Sequence, residues 1–262
     1  MQNANDYSHD SIRRELDKLG LSDVKLYFFE EIPSTNTEMK KIYAKEGIFD
    51  SAVIFAARSQ SAGRGRLGKS FSSPDAGIYT SILLPGDFGG SKLTAYVAVM
   101  VAEAIEELSG LSLDIKWVND LYVSGRKLSG ILCEGIINAE NLSLDASVIG
   151  IGINVLDVSF TEELTDIAVS LEAACGKKFS RAALLASVAE KIIRKMPKIS
   201  ESELIEKYKS KSCVLGKAIE VIRGKESFFA KALDINENAE LIVEKETGEL
   251  CALNSGEISI KI

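Results

Sequence analysis

Ala57-Arg58-Ser59-Gln60-Ser61-Ala62-Gly63-Arg64-Gly65-Arg66-Leu67-Gly68-Lys69-Ser70-Phe71 is the stretch on which the reading of this chain turns. It leaves the apolar run Ala52-Val53-Ile54-Phe55-Ala56-Ala57, which reads as a buried strand. No Asp or Glu occurs from Ser51 through Pro74, whereas Arg58, Arg64, Arg66 and Lys69 bring four positive charges into a chain of formal net charge −7. Glycines alternate with the arginines. Lacking a Cβ, glycine lets the backbone take positive φ and bring its N–H groups against a ligand. The flanking guanidiniums can grip oxyanions in bidentate fashion. A glycine-rich cationic loop leaving a buried strand therefore suits a small anion. A solvated basic loop and a nucleic-acid contact are the readings it competes with. With little apolar material to pack, residues 61–71 are expected to stay mobile until a ligand arrives.

Working outward, residues 11–19 predict a short helix, with Ile12, Leu16 and Leu19 on one stripe and Gly20 as its stop. Residues 25–32 predict a strand. Pro33-Ser34-Thr35-Asn36-Thr37-Glu38 then opens a helix to about residue 46, Thr35 and Glu38 having the spacing of a capping box. A helix start also presents free N–H groups, so capping and ligand binding both stand. Past the basic loop, residues 77–84 predict a strand and residues 92–108 a helix capped by Ser91. Strands over 113–118, 121–123, 127–137 and 147–155, with turns at Ser124-Gly125 and 138–141, predict antiparallel hairpins. Helices over 167–174, 181–196 (capped by Ser180) and 201–209 complete an α+β domain, a mixed sheet with packed helices, over residues 1–212. From Cys213 the texture changes to short alternating strands over 217–222, 227–235, 240–245 and 256–262. Turns at 223–225, 236–238 and 247–249 separate them, so residues 213–262 read as a small bent β-barrel docked on the main domain.

At 262 residues, 46% hydrophobic and 26% charged, the composition is that of a globular protein with a substantial core. The acidic balance argues against general nucleic-acid binding. No apolar run reaches the roughly 18–20 residues that span a bilayer, and the first residues carry no signal-peptide pattern. Cys133, Cys175, Cys213 and Cys251 stand far apart without a CxxC pair, which suits reduced, mostly buried thiols and a cytoplasmic location. The single histidine, His9, lies beside a polar N-terminal tail, so imidazole-based triads, dyads and His-ligated metals are excluded. Carboxylates, lysines, arginines, amides and hydroxyls must do the chemistry, which points to electrostatic positioning of a charged substrate.

Two further segments stand out. Lys116-Trp117-Val118-Asn119-Asp120 precedes Arg126-Lys127-Leu128-Ser129-Gly130, where strand alternation puts Lys127, Ser129 and Ile131 on one face. Val148-Ile149-Gly150-Ile151-Gly152-Ile153-Asn154 is an apolar strand with two glycines, and glycine there signals a close approach. In this order, Ser34-Thr35-Asn36, residues 60–68, residues 116–120, residues 126–130 and residues 150–154 resemble the signature segments of the biotin protein ligases. The resemblance covers nearly the whole chain. It implies a central mixed sheet of the kind found in class II aminoacyl-tRNA synthetases, followed by an SH3-like barrel. Leu67, Val118 and Phe71 depart from residues common in that family (arginine, proline and tryptophan), and Phe71 keeps a π face for adenine. Too little chain precedes Lys25 for a winged-helix domain, so the form lacking DNA binding is expected.

The implied reaction joins the biotin carboxylate to the α-phosphate of ATP and then passes biotin from the adenylate to a lysine of a carboxylase carrier protein. Two anions must approach, so cations are needed at their junction. The resemblance assigns Arg64, Lys116 and Lys127 to catalysis. It assigns Ser34, Thr35, Asn36, Gln60, Gly63, Arg64, Gly65, Arg66, Lys127 and Gly130 to biotin, where hydroxyls and amides match the urea ring. It assigns Arg66, Lys69, Phe71, Asn119 and Asn154 to ATP, and Asp120 to Mg²⁺ or to the incoming lysine. It implies no DNA or membrane partner and is compatible with a homodimer. Its rivals are a lipoate-type ligase on the same sheet and a non-catalytic binder of biotin or nucleic acid.

Overall fold

Ile12 and Leu16, one turn apart and fully buried, fix the first helix, α1 (His9–Lys18), against the rest of the chain. A computed structural model describes every residue except 1–5, 48, 87, 89, 139, 159, 224, 225, 261 and 262. Strand β1 (Lys25–Ile32) runs into α2 (Thr35–Glu46), then β2 (Val53–Gln60), β3 (Gly77–Pro85) and α3 (Leu93–Ser109). The hairpins β4 (Asp114–Lys116), β5 (Asp120–Val123), β6 (Arg126–Ile137) and β7 (Leu144–Asn154) follow. These strands form one seven-stranded mixed sheet in the order β1-β2-β3-β7-β6-β5-β4, in which only β1 and β2 pair in parallel. Helices α4 (Leu171–Cys175), α5 (Arg181–Glu190) and α6 (Glu201–Ser210) come next.

Period-two alternation decides which face holds what. Val53, Phe55, Leu83 and Val148 point to the face that α2 covers with Met39 and Tyr43. Ile54, Ile78, Ile82, Ile149, Ile151 and Ile153 point the other way, into the core shared with α3 and α5. On the α2 face of β7, residues 148, 150 and 152 read Val, Gly, Gly, so the sheet is bare just beyond the N-terminus of α2. That bare patch is where the site forms.

The second sheet is antiparallel, with β8 (Ala218–Arg223), β9 (Glu226–Ile235), β10 (Leu241–Lys245), β11 (Leu250–Leu253) and β12 (Glu257–Ile260) in the order β11-β10-β9-β8-β12. β11 is a strand the sequence pattern does not predict, because Leu250-Cys251-Ala252-Leu253 is only four residues long and follows a turn. Trp117 Nε1 donates to Ala239 O at 3.2 Å and Tyr208 OH to Val118 O at 2.9 Å, locking the β4–β5 connection against its surroundings. The Trp117–Val118 peptide bond is cis. Among the described residues no helix is long and apolar enough to cross a membrane.

Several local expectations change. Lys92, not Ser91, occupies the N-cap of α3, with no side-chain cap bond, because a 3-10 turn over Gly90–Lys92 leads into the helix. The predicted 167–174 helix shortens to α4, which Ser170 caps by accepting from Ala173 N. The 181–196 helix divides into α5 and a wider turn over Lys191–Lys195. The four cysteines are free and half-buried rather than mostly buried. Part of the predicted turns at 138–141 and 223–225, and the last two residues of the 256–262 strand, lie outside the described residues.

The chain leaving β7 is pinned by Glu172, whose side chain is 2% exposed. Its carboxylate accepts from Lys178 Nζ at 2.7 Å and from the backbone N–H groups of Asp157 at 3.1 Å and Phe179 at 3.3 Å. Burial pushes this carboxyl up, but Lys178 and the two N–H donors outweigh burial and hold it below its ordinary value of 4.5. A depressed folded value contributes stability that is complete above the unfolded value and is lost as pH falls through the folded one. Glu172→Gln is therefore expected to cost about 1–3 kcal/mol at pH 7, with the difference shrinking in acid. Urea unfolding at pH 7 and in acid checks this, and a pH-independent difference would contradict it.

Candidate functional site

The glycine–arginine segment folds back over the bare patch as a compact loop. Gly65 N donates to Lys69 O at 2.7 Å, Lys69 N to Arg66 O at 3.0 Å and Phe71 N to Gly63 O at 2.9 Å. Gly63 is required for this, since a Cβ there would lie 2.3 Å from Phe71 O and 2.6 Å from Ser73 Oγ. Leu67, at the tip, takes a left-handed φ of 53°, and its side chain is exposed.

The start of α2 uses its polar residues on tertiary partners instead of on capping. Ser34 holds the N-cap position without a side-chain cap bond, and the Thr35–Glu38 capping box is not formed. Thr35 donates from both N (2.9 Å) and Oγ1 (3.2 Å) to Gln60 Oε1. Ser81 Oγ lies 2.8 Å from Thr35 Oγ1 and 2.5 Å from Asn36 Oδ1, its single proton shared between the two acceptors. Asn36 Nδ2 in turn donates to Leu132 O at 3.1 Å and Glu134 Oε2 at 2.9 Å. Thr35, Asn36 and Ser81, so fixed and each at most 3% exposed, form with Gln60 a rigid neutral cradle of hydroxyls and amides.

The two glycines of β7 now have physical explanations. A Cβ on Gly150 would lie 2.3 Å from Asn36 Oδ1, and one on Gly152 would lie 2.6 Å from the Phe71 ring. The close approach expected at this strand is made by the protein's own side chains.

Lys127 reaches the same space by a route that alternation did not foresee. Pairing of β5 with β6 runs Leu121 to Ser129 and Tyr122 to Lys127, so Leu128 is an extra residue. The bulge leaves Ser129 and Ile131 buried on the core side and moves Lys127 away from them, to the side of Gly130. Lys127 Nζ pairs with Asp120 Oδ2 at 2.7 Å and stands 5.9 Å from the Phe71 ring centre. Asp120 Oδ1 is buried with no partner among the described residues. Arg66 NH1 donates to Asn119 Oδ1 at 3.3 Å, and Asn119 Nδ2 donates to Ile131 O at 2.9 Å. Lys116 Nζ lies 5.5 Å from the Tyr122 ring centre. Burial pushes the Tyr122 phenol up to about 12, so it is neutral at pH 7 and cannot serve as a base.

These groups enclose a cavity of about 320 Å³. Ser34, Thr35, Asn36, Gln60 and Gly130 line it, as do Arg64, Gly65, Arg66, Lys69, Phe71, Lys116, Asn119, Asp120 and Lys127. Two predicted residues do not. Gly63 lines a neighbouring depression that shares Gln60 and Phe71 with the cavity. Asn154 turns its amide to Val169 O at 3.3 Å. The sequence reading missed Glu134, Ser81 and the contribution of Gly256 and Ile258, which bring the second sheet to the cavity wall. Counting alternate residues from Gly130 through Leu132 would have reached Glu134, whereas nothing local marks Ser81.

Two family models match the chain: the Biotin/lipoate A/B protein ligase family over residues 28–154 and the Biotin protein ligase C terminal domain over residues 214–261. The solved biotin protein ligase from Aquifex aeolicus in complex with biotin and ATP is 30% identical, with a TM-score of 0.75, covering 90% of this chain and 98% of that one. The bifunctional ligase/repressor BirA of Bacillus subtilis is 34% identical over 204 residues, 74% of this chain but only 62% of that protein, so the chain spans under two-thirds of this relative's length. The biotin--[acetyl-CoA-carboxylase] ligase of Mycobacterium tuberculosis is 25% identical over 261 residues, 95% of this chain and 93% of that protein.

Proposed function

Because the chain belongs to the biotin protein ligase family, we propose that it activates biotin with ATP and transfers it to a lysine of a carboxylase carrier domain. The observation that carries this reading is the composition of one cavity: a neutral cradle of hydroxyls and amides beside a cluster of cations. Ser34, Thr35, Asn36 and Gln60 suit a urea ring, which offers two N–H donors and one acceptor oxygen. Arg64, Arg66, Lys69, Lys116 and Lys127 suit a carboxylate meeting a polyphosphate.

In the first half-reaction a biotin carboxylate oxygen attacks the α-phosphorus, and the bond from phosphorus to the bridging oxygen of pyrophosphate breaks. In this reading Lys127 offsets the charge where the two anions meet, and Arg66 and Lys69 hold the phosphates. In the second, the neutral amine of the carrier lysine attacks the acyl carbon, AMP leaves and the amine loses its proton. Neither step calls for a protein nucleophile, in keeping with a chain whose only histidine is His9. Phe71, packed on Gly152, presents its ring as a flat apolar contact for adenine. Residues 1–212 would carry both substrates, and residues 213–262 close the wall through Gly256 and Ile258.

Mg²⁺ accompanies ATP in this chemistry and neutralises charge on the phosphates. Among the described residues no group of three or more His, Cys, Asp or Glu side chains could hold a metal ion by itself. Asp120, with one buried oxygen lacking a partner among those residues, fits an ion that takes one carboxylate from the protein and its other ligands from phosphate and water.

Incubation with labelled biotin, MgATP and an unmodified carboxylase carrier domain tests the proposal, with lipoate in parallel because the matched family model spans both acids. Label on the carrier from biotin supports it. Label from lipoate alone would replace it with the lipoate reading.

A further inference from the structure

Resting on the reading above, we infer that Glu134 is a positioning residue, which holds the glycine–arginine loop and the polar cradle as one unit. Its carboxylate accepts four hydrogen bonds, two on each oxygen. Lys40 Nζ at 2.8 Å and Arg64 NH2 at 3.1 Å share Oε1. Asn36 Nδ2 at 2.9 Å and Arg64 NH1 at 3.1 Å share Oε2. The Arg64 pair is a fork, the geometry in which guanidinium and carboxylate fix each other's plane. Glu134 is absent from the cavity wall, so it acts through Asn36 and Arg64, both of which are on it.

The connection continues round the other side. Asn36 shares Ser81 with Thr35, Thr35 bonds Gln60, Gln60 Nε2 donates to Ser73 Oγ at 2.9 Å, and Ser73 Oγ donates to Phe71 O at 2.9 Å. The loop is therefore tied at its beginning (Arg64) and its end (Phe71) to the same cradle, once through a charge and once through neutral groups. A ligand that orders Asn36 favours the closed loop, and a closed loop favours the Asn36 orientation that the ligand needs. An ordinary surface ion pair contributes little. The Glu134 carboxylate, with a side chain 20% exposed and an amide as well as two cations on it, is differently placed. Burial pushes the carboxyl up, yet Lys40, Asn36 and Arg64 together hold it below the ordinary carboxylate value, so it is charged throughout the neutral range.

The test compares wild type with Glu134→Gln and Glu134→Asp. The readouts are the biotin KM, the ATP KM, the thermal midpoint and the rate of protease cleavage within residues 61–71 without ligand. Gln keeps the size and an acceptor for Asn36 but loses the charge that grips Arg64. E134Q is expected to raise the biotin KM about tenfold, to raise the ATP KM with it because Arg66, Lys69 and Phe71 ride on the same loop, to speed loop cleavage, and to lower the thermal midpoint by a few degrees. E134D, which keeps the charge, is expected to recover most of these effects. Unchanged biotin KM and cleavage in E134Q would overturn the inference, and so would a lowered midpoint with an unchanged biotin KM, the mark of a merely structural pair. Should E134Q fail to fold, E134D carries the same readouts with smaller shifts. If wild type forms no biotinyl-adenylate, the proposed function fails, and ligand-free cleavage alone then decides whether Glu134 holds the loop.

Discussion

Lys127→Ala is expected to slow biotinyl-adenylate formation about a thousandfold, the range seen when one preorganised charge donor is removed from a reacting centre. The side chain is 32% exposed and takes no part in the core, so the fold should survive. Its neighbour Leu128, fully buried, does the packing at this point of the strand. One complication is that the substitution also strips Asp120 of the ammonium 2.7 Å away. Lys127→Ala with Asp120→Asn, set beside Asp120→Asn alone because Asp120 is also the proposed Mg²⁺ ligand, separates the two effects, since it removes the stranded carboxylate without restoring a cation. Stability is expected to recover in the double variant while pyrophosphate release stays as low as in Lys127→Ala. Normal release by either variant lacking Lys127 would show that Lys127 does not serve the first half-reaction.

Gly150→Ala is expected to raise the biotin KM about a hundredfold, equivalent to roughly 2.7 kcal/mol. The new methyl carbon would lie 2.3 Å from Asn36 Oδ1, 2.8 Å from Cγ and 2.9 Å from Nδ2. The strand cannot yield, since Gly150 pairs with Ser81 on one side and Leu132 on the other. Asn36 must leave its place and give up its bonds to Ser81, Leu132 and Glu134. Gly152→Ala is the matched control on the same face, for there the obstruction is the Phe71 ring at 2.6 Å. It should raise the ATP KM more than the biotin KM. Steady-state kinetics with each substrate varied separates the two, and equal effects from both variants would sink the division of the cavity into a cradle and a nucleotide side.

The parts of this protein that were legible in the sequence are those governed by local periodicity. The run 52–57, the hairpins from residue 113 to residue 155 and the barrel-like texture after Cys213 carry strand alternation and turn residues close together. The cationic loop was legible because glycine and arginine alternate within a few residues. What failed depends on tertiary choice. Thr35 and Glu38 have capping-box spacing, but Gln60, 25 positions from Thr35, offers a better acceptor inside the fold. The bulge at Leu128 reverses the expected facing of Lys127, and no residue type announces it. Ser81 is one hydroxyl in an apolar strand until Asn36 is folded against it. Gly150 and Gly152 mark close approach in the sequence itself, and the approaching groups are Asn36 and Phe71.

The claim on which these assignments depend is that one cavity joins a carboxylate to the α-phosphate of ATP. Incubating the purified protein with biotin and MgATP, then extracting the bound small molecules for mass spectrometry, tests it directly. Biotinyl-5′-adenylate retained by the wild-type protein and missing from Lys127→Ala is the predicted result. No adenylate with biotin, or an adenylate formed only from lipoate, would contradict it.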